Sequence, residues 1–240
     1  MTTIDIQVAG SPLSTYIATP EGEGPWPGVC VIHDALGMNQ DLRNQADWLA
    51  REGYLVAAPD LFDGGTFFGC LRSVMRDFNR RSGPFFDKVE ATRQWLLQHE
   101  QCTGKVGVIG FCFGGGFALL LAPRGEFAAA SINYGMLPKD ADEFLKQACP
   151  IVASYGAKDR GLKGAAARLD GILTAAGVAH DVKEYADTDH AFMNDHSEDR
   201  IPFVVRVVSL VLGGGGYHPE STKDSRERIL AFFAQHLQSG

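Results

Sequence analysis

One thiol of the 240-residue chain is set in a pattern with a chemical use. Cys112 lies within Gly110-Phe111-Cys112-Phe113-Gly114-Gly115-Gly116, directly after the apolar run 105–109. A strand that passes at once into a helix must turn sharply, and small residues on either side relieve the crowding of the backbones. Gly110 and Gly114 flank the thiol in a G-x-C-x-G arrangement, the nucleophile-elbow pattern with Cys in place of Ser. Such a turn lifts the sulfur above the sheet edge and aims the free N–H groups of the following helix at negative charge forming there. The competing reading is a small buried apolar cysteine, with glycines that serve packing alone. No GxGxxG can be fitted and no Lys-Ser/Thr follows the glycines, so neither a dinucleotide site nor a P-loop is supported.

A thiol nucleophile needs a base, and the base needs an orienting carboxylate. On an elbow fold they follow in chain order, acid then histidine, each just past a strand. Asp159 lies four residues after a predicted strand ending at Tyr155, and His190 five residues after one ending at Tyr185. Singly, each also reads as an ordinary turn or loop residue. The ordered set favours a triad of Cys112, His190 and Asp159. The segment Val31–Gly37, VIHDALG, follows the third predicted strand. In elbow enzymes that loop supplies one oxyanion-hole N–H, and the residue after the nucleophile, here Phe113, supplies the other. The loop also carries Asp34 to the same edge. A carboxylate there opposes ionisation of the thiol, whereas the helix terminus and His190 favour it. The competing reading of Asp34 is a residue that starts a helix or turn.

These residues need a scaffold with one chemically equipped rim. Apolar, β-branched runs at 4–8, 13–19, 28–32, 54–58, 105–109, 128–133, 151–155 and 180–185 predict strands. Helical periodicity is read at 40–51, 87–99, 114–121, 140–147, 165–176 and 222–237. Ser221-Thr222-Lys223-Asp224 reads as a capping box opening the last helix. The first two strands can form a hairpin across residues 9–12. Strand and helix then alternate, which predicts a single α/β domain whose mostly parallel twisted sheet has helices on both faces. Its ligands should bind at the carboxyl ends of the strands. Residues 62–86 and 195–219 are long for loops and read as lid or pocket-wall insertions.

Composition narrows the function classes. Net charge is −7, from 22 basic and 29 acidic residues, so nothing electrostatic points to nucleic acid or an anionic membrane as partner. Residues 1–5 lack the basic and apolar regions of a signal peptide, and a cytoplasmic protein is expected. The five cysteines form no CxxC pair and read as reduced thiols. His190 and His196 flank Asp195, a spacing too weak to predict a metal, and no metal is expected.

The segments VIHDALGMN, APDLF, GKVGVIGFCFGGG, YGAKDR, TDHAFMN and GYHPES, in that order, resemble the dienelactone hydrolase family of α/β-hydrolases. The likeness runs from Ile4 to Leu237. It implies hydrolysis of a small-molecule ester or lactone by a Cys-His-Asp triad, without metal or cofactor. By position, Cys112 matches the family nucleophile, His190 the base and Asp159 the orienting acid. Ala35 and Phe113 match the residues whose backbone N–H groups form the oxyanion hole. Asp34 falls where founding members have a Glu that contacts the resting thiol. Founding members also hold the substrate carboxylate with two arginines. One of these lies four residues after the catalytic His, where this chain has Asn194; Arg200, further along the loop, is a candidate substitute.

The resemblance leaves some features open. Arg72, Arg76 and Arg80 share a face if 71–80 is helical, and read either as an anion-steering, substrate-binding face or as a solvated one. Phe62, Phe67, Phe68, Phe78, Phe85 and Phe86 suggest a roomy apolar pocket wall or core filling. The apolar stretch 203–212 reads as a lid or as the contact of a homodimer. Beside the dienelactone reading stand a general carboxylesterase of unrelated substrate range and a non-hydrolytic thiol or binding protein on the same scaffold.

Overall fold

A computed structural model describes residues 1–62, 67–199 and 216–238. The side chains of Phe67 and Phe68, Arg200 and the 203–212 stretch lie outside the described residues. Strands β1 (Thr2–Val8), β2 (Ser11–Ala18), β3 (Trp26–Ile32), β4 (Leu55–Pro59), β5 (Cys102–Phe111), β6 (Ala129–Asn133), β7 (Ile151–Gly156) and β8 (His180–Tyr185) form one sheet. Their order is β1-β2-β4-β3-β5-β6-β7-β8. The β1–β2 hairpin is antiparallel, β2 pairs antiparallel with β4, and every later pairing is parallel. Helices α1 (Gln40–Arg51), α2 (Phe67–Arg80), α3 (Pro84–Gln98), α4 (Phe113–Leu121), α5 (Ala141–Phe144), α6 (Ala165–Ala176) and α7 (Pro219–Phe233) connect or close the strands. This is the α/β arrangement that the alternation predicts. Among the described residues no helix is long and apolar enough to cross a membrane.

Side chains on a strand alternate between faces, and both faces here are buried. Val106 and Val108 of β5 join one core cluster with Phe117, Phe85 and Leu169; Ile109 and Phe111 join the other with Leu49, Phe232 and Phe233. A sheet covered on both sides leaves only its strand ends for a ligand, which is why chemistry concentrates at the carboxyl edge.

The described part of 62–86, which reads from sequence as a long loop insertion, is largely helical. α2 occupies 67–80 and α3 starts at Pro84, three residues before the expected position. The buried Asp77 side chain accepts from the Phe85 N–H at 3.2 Å, so an acid on the preceding helix caps α3. Phe78, Phe85 and Phe86 are buried around Phe117 of α4, with Phe85 stacked on Phe117 at 3.8 Å between centroids. These three aromatics are core. The expected capping box also differs: α7 starts at Pro219, and the His218 ring accepts from the Ser221 N–H at 3.3 Å. Asp224 instead accepts from Lys183 Nζ at 2.7 Å and Tyr185 OH at 2.6 Å.

β5 runs two residues beyond the predicted end, to Phe111, and α4 starts at Phe113. That junction is crowded. A Cβ on Gly110 would lie 2.0 Å from Gly114 O, and one on Gly114 would lie 2.3 Å from Ile32 O of β3. The α4 terminus can press on the neighbouring strand only because these side chains are missing. We expect Gly110→Ala to lose more than ~3 kcal/mol of unfolding free energy, the range of severe core overpacking. Gly171→Ala, inside α6 with nothing within 4 Å of its added Cβ, should gain about 0.5–1 kcal/mol from helix propensity. Urea unfolding of both variants checks this, and similar midpoints would contradict the packing account.

Candidate active site

Cys112 alone makes the turn between β5 and α4. Its backbone is left-handed, with φ 54 and ψ −112, a state costing a non-glycine residue about 1–3 kcal/mol. Tertiary bonds hold it there. The Cys112 N–H donates to Asn133 O of β6 at 3.0 Å, and its carbonyl accepts from the Gly116 N–H at 3.1 Å. Lying at the N-cap of α4, the thiol faces the positive end of the helix dipole.

Asp159 follows β7 and is 2% exposed. One carboxylate oxygen, Oδ1, accepts from the Gly161 and Leu162 N–H groups at 2.9 and 3.2 Å. The other, Oδ2, faces His190 Nδ1 at 2.6 Å. The loop bearing His190 reaches Asp159 because it lies on Gly156, where a Cβ would meet Asp189 O at 2.5 Å. With Nδ1 turned to the acid, Nε2 remains for the sulfur. Burial by itself would lower the pKa of the imidazole. The charge of the Cys112 sulfur, the hydrogen bond to Asp159 and the contact with Cys112 outweigh it and push the His190 pKa up to about 10. Tyr134, at the end of β6, packs its ring edge-on against His190 at 5.2 Å.

The loop after β3 comes to the same edge. His33 is buried, which lowers its pKa and keeps it neutral. Its Nδ1–H donates to Asp34 O at 2.7 Å, and its Nε2 accepts from the Leu61 N–H at 3.2 Å. Asp34 Oδ1 accepts from the Leu36 N–H at 2.7 Å, while Oδ2 faces His196 Nε2 at 3.1 Å. No hydrogen bond joins Asp34 to Cys112 among the described residues. Nor do the amide N–H groups of Ala35 and Phe113 donate to any protein acceptor among those residues, so both are free to bind an oxyanion.

Arg72, Arg76 and Arg80 are on the exposed side of α2, opposite the buried Val74 and Phe78. Arg76 donates to Asp77 and Ser73. Asn194 is 4% exposed; it accepts from Tyr134 OH and donates to Asp41 of α1. Its amide is therefore built into the scaffold beneath the site. His190 and His196 engage separate sets of partners. Sequence reasoning missed Tyr134 and His33, and weighed His196 only as a metal ligand. Tyr134 could have been found by the rule that located Asp159, since it directly follows a strand. His33 and His196 gave no local signal beyond being histidines.

The sequence model of the dienelactone hydrolase family matches residues 13–237. A Yersinia pestis protein named a putative carboxymethylenebutenolidase is 27% identical over 254 residues, covering 98% of this chain and 87% of that protein. The protein usf of Aquifex pyrophilus is 29% identical over 258 residues, covering 98% of each. Among solved structures, a putative dienelactone hydrolase from Klebsiella pneumoniae superposes with a TM-score of 0.79 at 25% identity, covering 98% of both chains. With an elbow cysteine at the carboxyl edge and a family match over most of its length, this chain belongs to the dienelactone hydrolase family.

Proposed function

We propose that the chain hydrolyses carboxylic esters or lactones with Cys112 as nucleophile, His190 as base and Asp159 as the acid that orients it. The observation that carries this reading is the alignment of a strained elbow thiol, an imidazole and a buried carboxylate at one sheet edge. The Cys112 thiolate attacks the carbonyl carbon and forms a C–S bond. The carbonyl oxygen takes the negative charge, and the Ala35 and Phe113 N–H groups stabilise it. Collapse breaks the C–O bond, and His190 gives its proton to the leaving alkoxide. The sulfur is now a neutral thioester, so the charge that had raised the His190 pKa is gone. The imidazole is therefore a weaker holder of its proton at the step that needs release, and a free base at the next. It takes a proton from water, the hydroxide adds to the thioester, and the C–S bond breaks to give the acid and the thiolate.

Substrate charge favours a second reading, a general carboxylesterase. In founding members an arginine stands where this chain has Asn194, and that amide is consumed by Tyr134 and Asp41. Asp34 and Asp199 also lie close to the rim. Neutral aryl esters are thus the better substrates, and a carboxylate-bearing lactone should have the lower kcat/KM. Equal or greater activity on the anionic lactone would contradict this and would point to residues outside those described, such as Arg200, as the anion clamp.

Cys112→Ala should lower kcat/KM for an aryl acetate by at least ~10⁴-fold, and Asp159→Asn by ~10³–10⁴-fold, with the fold intact by circular dichroism. Unchanged turnover in Cys112→Ala would exclude the nucleophile and leave a thiol protein of another kind. The electrostatics give a separate check by NMR. The His190 ring should stay protonated until near pH 10, and its pKa should fall in Cys112→Ala, where the largest raising influence is removed. Titration near 6.5 in both chains would contradict the ion pair.

A further inference from the structure

Beside the Cys112–His190–Asp159 alignment, the rim carries a second histidine–carboxylate unit. His196 lies in a short turn (His196–Glu198) after the His190 loop and is mostly buried. Its Nε2 faces Asp34 Oδ2 at 3.1 Å, and its Nδ1 faces Asp199 Oδ2 at 2.9 Å. The Nδ1 contact is a hydrogen bond and the Nε2 contact an ion-pair contact, and ionised carboxylates on both nitrogens favour a ring that carries both protons. Such a ring is an imidazolium. Asp199 is itself anchored: its Oδ1 accepts from the Gln40 N–H at 2.9 Å and its Oδ2 from the Asp41 N–H at 3.4 Å, in the first turn of α1. An anion at that terminus is favoured by the helix dipole. At the other end of the ring, Asp34 bends its loop back through the Leu36 N–H, and the Gly37 N–H donates to Asp34 O at 3.3 Å. Ala35 lies inside that turn.

We propose that His196 is a positioning residue of the proposed hydrolase site, a charged clasp that fixes the Asp34–Ala35 oxyanion loop to the start of α1. The proposal rests on the oxyanion role argued above for Ala35. The imidazolium serves the loop through Asp34 and does not touch substrate. The groups facing it are Asp34 from the loop after β3, Asp199 from its own turn and Asp41 from α1. Burial works against the charged ring, but these carboxylates prevail and push its pKa up to about 9. Since the folded pKa lies above the ordinary value near 6.5, the clasp is complete below about pH 6.5 and is lost as pH rises through about 9. Loss of the proton would leave three carboxylates around a neutral ring, and the loop would lose its anchor.

The test combines kinetics on a neutral aryl ester with NMR titration of the full chain. His196→Gln keeps a donor but not two opposed donors or the charge. It should lower kcat by ~10–100-fold, a fraction of the effect of deleting an oxyanion donor, and leave KM within about threefold. In the parent, kcat should fall above about pH 9, and in His196→Gln this limb should be missing, leaving only the fall near pH 10 that loss of the His190 proton brings. Asp199→Asn removes one holder of the proton and should move the limb to lower pH; it decides the matter if His196→Gln does not fold. A kcat within twofold of the parent in His196→Gln, or an alkaline limb unmoved by Asp199→Asn, would overturn the proposal. If the parent shows no ester hydrolysis, the functional reading has failed, and the NMR arm still decides on the clasp. A His196 ring protonated to near pH 9 in the parent, with a lower pKa in Asp34→Asn, supports it; titration near 6.5 refutes it.

Discussion

The contact on which the rest of the site depends is between backbones. The first turn of α4 touches β3 at Ile32 O and β6 at Asn133 O, at distances that a Cβ on Gly114 or Gly115 would forbid. Because the helix is pressed so close to the sheet, the chain has one residue in which to reverse from strand to helix. That residue, Cys112, takes a left-handed conformation that few side chains adopt. The same geometry holds the sulfur over the edge and puts the start of the helix beneath it. A looser junction would need a longer turn, and the thiol would no longer have a fixed height above the sheet. Strain here is local and modest, and it is offset by the core that Phe117 makes with Phe78, Phe85 and Phe86 one turn further along the helix.

Around the thiol the protein concentrates negative charge and balances it with histidines. Asp159 and the sulfur act on His190; Asp34, Asp199 and Asp41 act on His196. Both rings are partly buried, where charge interactions are less screened than in water. Their surroundings differ in what can change. In the proposed mechanism His190 faces the Asp159 carboxylate and one group, the sulfur, that acylation makes neutral. His196 faces carboxylates that take no part in bond making. The first arrangement suits proton movement and the second suits holding a loop still.

Much of this could be read from the sequence because it is encoded locally. Strand and helix periods, the glycines around Cys112 and the order of acid and histidine are each visible within a few residues, and parallel topology dictates that they meet at one edge. Other features depended on partners far away in the chain. Residues 62–86 read as a long loop insertion, although α2 fills most of it, and the cap of α3 is Asp77, eight residues before the amide it holds. The Ser221–Asp224 motif had the residues of a capping box, yet Asp224 turns to β8 and His218 does the capping. Asn194 was legible only as a missing arginine; its bonds to Tyr134 and Asp41 are tertiary. His196 joins residues more than 150 positions apart in the chain through Asp34 and the start of α1, and no short motif could announce that.

The proposed sulfur chemistry at residue 112 is open to direct observation. The chain is mixed with an activated aryl ester, quenched in acid within the first turnover, digested and analysed by mass spectrometry. The account predicts one acyl group on the peptide containing Cys112, held as a thioester that hydroxylamine removes. Rapid hydrolysis with no acyl group on that peptide at any quench time, or with the acyl group on another residue, would contradict it.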